Sequence, residues 1–246
     1  MASEVSDDQI LECQRAVANG ILTKLNTIPK PGPVAAAIDM IAGRLVASGN
    51  SLLVLRRNSR HDYGFDALSI LRTMYDVTLQ GLYILADQAK QEERARLYLD
   101  FMWVERKQRI ELMDSSKTWL AKRLSGSPMR ANAEPAIEER FESVKAKYTG
   151  KNNKVRGDWF PGRLRDLARA TGLEAEYLLM QKFLSGFVHS TPLTIMMGPV
   201  VPDFLLIDWH WRFVFRILGS YAEVKAVTLD EKENGLITLS RQNVFD

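Results

Sequence analysis

The sequence predicts an all-α protein, and three observations carry that prediction. Apolar residues recur at three- and four-residue steps through most of the chain, no alternating pattern runs longer than five residues, and capping residues or Pro/Gly breakers punctuate the periodic segments. The expected architecture is a single multi-helix bundle of about eight helices, because no linker of disordered composition divides the chain. It is read as one domain over residues 1–246, with a core at about 33–195 and a C-terminal helix and tail at 196–246.

Each element follows from local pattern. Ser6 ahead of Asp7 and Asp8 is a helix start, and Ile10, Leu11, Val17, Ile21, Leu22 and Leu25 repeat at helical spacing until "TIPKPGP" halts them. Pro33 suits the first turn of a second helix whose apolar positions run from Val34 to Leu55 and which ends near "RRNSRHDYG". The third, about 66–86, is apolar over most of its surface, as a central helix must be. Residues 91 to about 124 read as one long amphipathic helix, bent near "DSSK", and 134–148 as a charged helix. The stretch 149–162 is a polar, glycine-rich loop, followed by helices at 163–170 and 175–189 and a last one at roughly 206–229. The tail "ITLSRQNVF" is too short to assign.

Composition limits the function classes. With 46% hydrophobic residues the chain can bury a continuous core, and 33 Lys+Arg against 30 Asp+Glu leave a net charge of +3, so no bulk field points to nucleic acid or an anionic membrane. The lone Cys13 builds no intramolecular disulfide framework, and "MASEVSDDQ" has neither the positive flank nor the apolar stretch of a secretory signal; cytoplasm is the expected compartment. The most apolar stretch, 192–215, is not expected to span a membrane, because three prolines and the charges of Asp203, Asp208 and Arg212 interrupt it.

Polar residues stand out on two helices. Ser69, Arg72, Thr73, Asp76 and Gln80 fall on one stripe of the third helix about 100° wide, and the stripe holds no Lys or Glu but does hold the i,i+4 pair Arg72 and Asp76. Gln181, Ser185 and His189 follow at four-residue steps on a later helix, beside small Gly186. The expectation is that the two ridges meet, with Arg72, Asp76 and His189 converging. Such a group suits phosphodiester chemistry, in which Arg stabilises an anionic phosphorane and His moves a proton near neutral pH. The same group read structurally is a buried network holding two helices in register, and a ligand-binding role is a third reading.

"LRTMYD" (71–76), "WFPGRLRDLARATGLEAEY" (159–177) and "FLSGFVHST" (183–191) together resemble a family of uncharacterised bacterial all-helical proteins over about residues 40–195. In that family one helix carries Arg-x-x-x-Glu and a later one ends in Ser-x-x-Val-His; Asp76 stands here in place of the Glu. More distantly the layout resembles the higher-eukaryote and prokaryote nucleotide-binding (HEPN) superfamily, helical bundles that often dimerise and include metal-independent ribonucleases and toxin components. The resemblance implies an RNA-directed ribonuclease or toxin-type defence protein, a homodimer, with His189 and Arg72 catalytic and Asp76 and Ser185 supporting. The nuclease motif Arg-x(4–6)-His finds its match at Arg56 to His61, away from those residues.

Other signals are local. Arg56, Arg57, Arg60 and His61 form one basic turn, and Lys154, Arg156 and their neighbours surround Trp159 in the 149–162 loop. Both are candidate RNA contacts through phosphate pairing and base stacking, or else solvated loop charges with Trp159 capping the core. No metal is expected, since His61, His189 and His210 have no i,i+4 partner among His or Cys, and no cofactor, since the phosphate-loop, dinucleotide and nucleophile-elbow signatures are missing.

Overall fold

The structure is a computed structural model that describes residues 6–29, 31–58, 64–119, 122–123, 128–150, 152–188 and 210–242. Its helices are α1 (Asp7–Asn26), α2 (Pro33–Asn58), α3 (Gly64–Leu85), α4 (Gln91–Ser115), α5 (Pro128–Val144), α6 (Leu164–Ala170), α7 (Glu174–Val188), α8 (Trp211–Lys225) and α9 (Glu231–Arg241). A 3-10 turn, Lys145–Tyr148, follows α5, and an antiparallel bridge joins Thr149 to Val155. The all-α class read from periodicity is the observed one. Arg60, His61, His189 and the apolar stretch from 192 to 209 lie outside the described residues.

Two compact units form, Met1–Gln91 with Leu164–Asp246, and Glu92–Arg163. In the first, α2, α3 and α8 pack on one another, with α1 and α9 against α8 and α7 against α3. The segment Pro33–Arg57 of α2 has the length and composition to cross a membrane, and half of its most apolar window is buried in this unit. α8 is covered on nearly every side, burying Trp211, Phe213, Val214, Phe215, Ile217, Leu218 and Tyr221. Glycine lets neighbours come this close: a Cβ on Gly81 would stand 2.7 Å from Ile217 Cδ1, and one on Gly219 2.6 Å from Ile237 Cγ2.

The caps explain where helices begin. Ser6 Oγ accepts from the Gln9 amide, while the Gln9 side chain accepts from the Ser6 amide at 2.9 Å, a reciprocal capping box on α1. Asp230 and Glu233 form the same box on α9, the helix that the tail had not revealed. α8 stops at Ala226, which adopts the left-handed conformation at φ 54°.

In the second unit α4 ends at Ser115, nine residues before the expected 124, where Ser115 Oγ bonds the Leu112 carbonyl at 3.0 Å and competes with the helix ladder. α5 begins earlier than its charge pattern suggested, on Pro128, whose missing N–H costs nothing in a first turn. The core of this unit is aromatic. Tyr148 is fully buried, donates to the Leu97 carbonyl at 2.7 Å and meets Phe101 at 5.2 Å between centroids.

Candidate functional site

Along the polar stripe of α3, Arg72 is buried, Ser69, Asp76 and Gln80 are half-buried and Thr73 is exposed. Arg72 is 8% exposed. One arm of its guanidinium donates from Nη1 to Asp76 Oδ1, one turn along α3, and the other donates from Nη2 to Gln181 Oε1 on α7. The two ridges therefore touch at Arg72 and Gln181. Ser185 stands one turn beyond Gln181 and is half-buried. His189, a further turn on, lies outside the described residues, so the contact between the ridges is described at Arg72 and Gln181.

Electrostatics at this junction reflect burial first. Burial pushes the Asp76 carboxyl up from its ordinary value, and the Arg72 charge and hydrogen bond oppose that rise. Tyr75, wholly buried on the next face of α3, donates to the Leu173 carbonyl at 3.2 Å; burial and then the Glu176 charge push its phenol far up. Tyr75 is thereby a fixed neutral donor, not a titrating group.

A second ion pair adjoins the first and was not picked out from the sequence. Arg216 of α8 and Glu176 of α7 are 6% and 8% exposed, with Nη1 to Oε2 and Nη2 to Oε1 both at 3.4 Å. Arg216 Nε also donates to the Ser240 carbonyl of α9 at 2.6 Å. The signal was present in "WRFVFRILGSY", where Arg212 and Arg216, one helical turn apart, interrupt an otherwise largely apolar helix. Charges are buried here only because each finds a partner in fork geometry.

The candidate basic contacts are occupied in varying degree. Arg56 Nε lies 3.1 Å from Asp8 Oδ1, and Arg57 pairs with Glu12. Lys154 is exposed, and Arg156 Nη2 donates to the Lys147 carbonyl at 3.1 Å. Trp159 is 6% exposed, set edge-on to Tyr98 at 5.4 Å and beside Phe160 at 6.2 Å, so its ring contributes to the second unit's core.

His210 is 1% exposed, with its ring 4.7 Å from that of Trp211. Neither ring nitrogen has a hydrogen-bond partner among the described residues. Burial, with the Arg56 charge acting the same way, pushes the imidazole down to about 3, so it stays neutral. Among the described residues no group of three or more His, Cys, Asp or Glu is placed to hold a metal ion.

Fold and site together define an all-α protein whose first unit is tied from α3 to α7 by the Arg72 to Gln181 hydrogen bond and from α7 to α8 by the buried Glu176–Arg216 ion pair. Its family follows from the same stretch of chain. Residues 40–198, which contain Arg72, Asp76, Glu176, Gln181 and Ser185, match a family of unknown function, DUF5677, and the chain belongs to that family. No curated protein and no solved structure matches it.

Proposed function

We propose that this is a non-catalytic helical protein that works by binding a ligand or another protein, with Arg72, Asp76 and Gln181 serving to hold α3 against α7. One observation carries the reading: a guanidinium nine-tenths buried has both arms engaged, by Asp76 and by Gln181. A transition-state clamp needs donors aimed at where substrate charge develops. Here they are aimed at protein oxygens.

Incubation of the purified protein with total RNA, beside Arg72→Ala and His189→Ala, tests this. The expected result is no cleavage above the RNA-only control, together with a clear loss of thermal stability in Arg72→Ala.

The second reading is a HEPN-like, metal-independent ribonuclease or toxin-type defence protein acting on RNA as a homodimer. The Arg72 to Gln181 bond favours it, because that bond seats on the α3 stripe the very ridge that continues through Ser185 toward His189. In that scheme His189 transfers the proton, Arg72 stabilises the phosphorane, and Asp76 and Ser185 orient them. Cleavage abolished by both substitutions, with melting temperature held within a few degrees, selects this reading over the first.

A further inference from the structure

Between α2 and α3 lies a cavity of about 260 Å³ lined by Arg44, Ser48, Ser51, Ser69, Ile70 and Thr73. Five of the six lining side chains carry hydrogen-bond donors, and none is acidic. Arg44, Ser48 and Ser51 sit at i, i+4 and i+7 on α2, and Ser69 and Thr73 at i and i+4 on α3, so each set shares a helix face. Helical antiparallel neighbours usually fill such a seam with apolar side chains.

Two features of the lining are unexplained by packing. Arg44 is exposed and pairs with no carboxylate among the described residues, whereas Arg56, Arg57 and Arg72 of the same two helices all do. Ser48 is 6% exposed and makes no hydrogen bond among the described residues, and it lines the cavity, to whose open space its hydroxyl keeps access. Its hydroxyl therefore takes its partner from whatever water or polar group fills that space. The other hydroxyls are uncommitted in one respect: Ser51 and Thr73 donate only to carbonyls of their own helix, Ala47 at 3.0 Å and Ser69 at 3.1 Å. A hydroxyl rotates freely and can redirect that proton.

We propose that this cavity is an oxyanion site, binding the phosphate group of a small phosphomonoester, with the Arg44 guanidinium supplying charge and the Ser48, Ser51, Ser69 and Thr73 hydroxyls supplying donors. A guanidinium fork beside several hydroxyls matches an acceptor with three or four oxygens better than a carboxylate with two. The volume sits just under the range of about 300–1,000 Å³ usual for small-molecule sites, which leaves room for a short organic portion beside the phosphate. The inference names the ligand class for the binding reading above and rests on that reading.

Calorimetric titration and thermal unfolding of the full chain with inorganic phosphate, glycerol phosphate and acetate, up to about 10 mM, test it. Glycerol phosphate is expected to bind and to raise the melting temperature, acetate to do neither. Arg44→Ala and Ser48→Val are each expected to weaken binding roughly tenfold or more, while Arg96→Ala, which removes an exposed charge elsewhere, leaves it unchanged. Because Arg44 is exposed and Ser48→Ala adds a better helix former, Arg44→Ala and Ser48→Ala should melt close to the parent and so report on binding alone.

No binding of either phosphate, binding indifferent to Arg44→Ala and Ser48→Val, or acetate binding as well as glycerol phosphate each overturns the proposal. RNA cleavage lost with His189→Ala instead overturns the non-catalytic reading. The two failures therefore appear in separate measurements.

Discussion

A guanidinium nine-tenths buried is defined by its partners, and those of Arg72 are intramolecular. Removing it leaves the Asp76 carboxylate half-buried and Gln181 without its donor, which for a buried pair costs about 3 kcal/mol. Arg72→Ala is therefore expected to lower the melting temperature by roughly 6–12 °C, read by calorimetry. A shift inside the measurement error would show that the tie contributes nothing. His210 makes a prediction with a definite sign. Its folded imidazole is pushed from 6.5 down to about 3, so below pH 6.5 the unfolded chain takes up a proton that the folded chain refuses. Stability present above pH 6.5 falls as pH drops toward 3, by about 1.4 kcal/mol per pH unit. His210→Phe removes that slope. Denaturant titrations at pH 7 and pH 5 should show the parent losing about 2 kcal/mol more than the variant, and equal losses would contradict the buried neutral histidine.

Helix ends and helix crossings set the element scale. Ser6→Ala removes half of the capping box on α1 and is expected to cost about 1 kcal/mol, visible as a shifted denaturation midpoint with unchanged slope. Gly81 works differently, through the space that it leaves for Ile217 and for Ile41, whose Cγ2 would lie 3.1 Å from an added Cβ. Gly81→Ala gains about 1 kcal/mol of helix propensity against that crowding, whereas Gly81→Val adds bulk with no such gain. The valine variant should be the less stable of the two by roughly 2 kcal/mol in the same titration; the reverse order would mean that α3 and α8 can move apart without penalty. Both elements show how much was legible. The Ser6, Asp7, Asp8 start was read correctly from local chemistry. The α9 box at Asp230 and Glu233 uses the same chemistry but was passed over beside Gly235 and a short polar run.

Across the whole molecule, burial is concentrated in the first unit, where α3 and α8 bury residues on nearly all faces, while α4 of the second unit buries only Ala95, Phe101, Val104 and Ile110 among its described side chains. Backbone amides in α3 and α8 are accordingly expected to exchange with solvent most slowly, near the global unfolding limit, and those around Asn153 fastest. Comparable protection in α4 and α8 would contradict that gradient. The family match at residues 40–198 covers nearly the same stretch as the resemblance read from three short motifs, about 40–195, of which the first lies on α3, the second runs through α6 into α7 and the third begins on α7. The Arg44 cavity is not legible in the sequence. A serine or an exposed arginine on a helix face carries no local sign of what stands opposite, and only the approach of α3 turns that face into a lined cavity.

By itself the sequence determined the all-α class, most helix boundaries and the i,i+4 pairing of Arg72 with Asp76, since each depends on spacing within a turn or two of chain and on local capping chemistry. Tertiary structure alone decided that Arg72 reaches Gln181, that Arg216 and Glu176 pair in the interior, and that His210 is sealed from water. Those outcomes join residues tens to more than a hundred positions apart, and desolvation is a property of everything packed around a group, which no window of sequence contains.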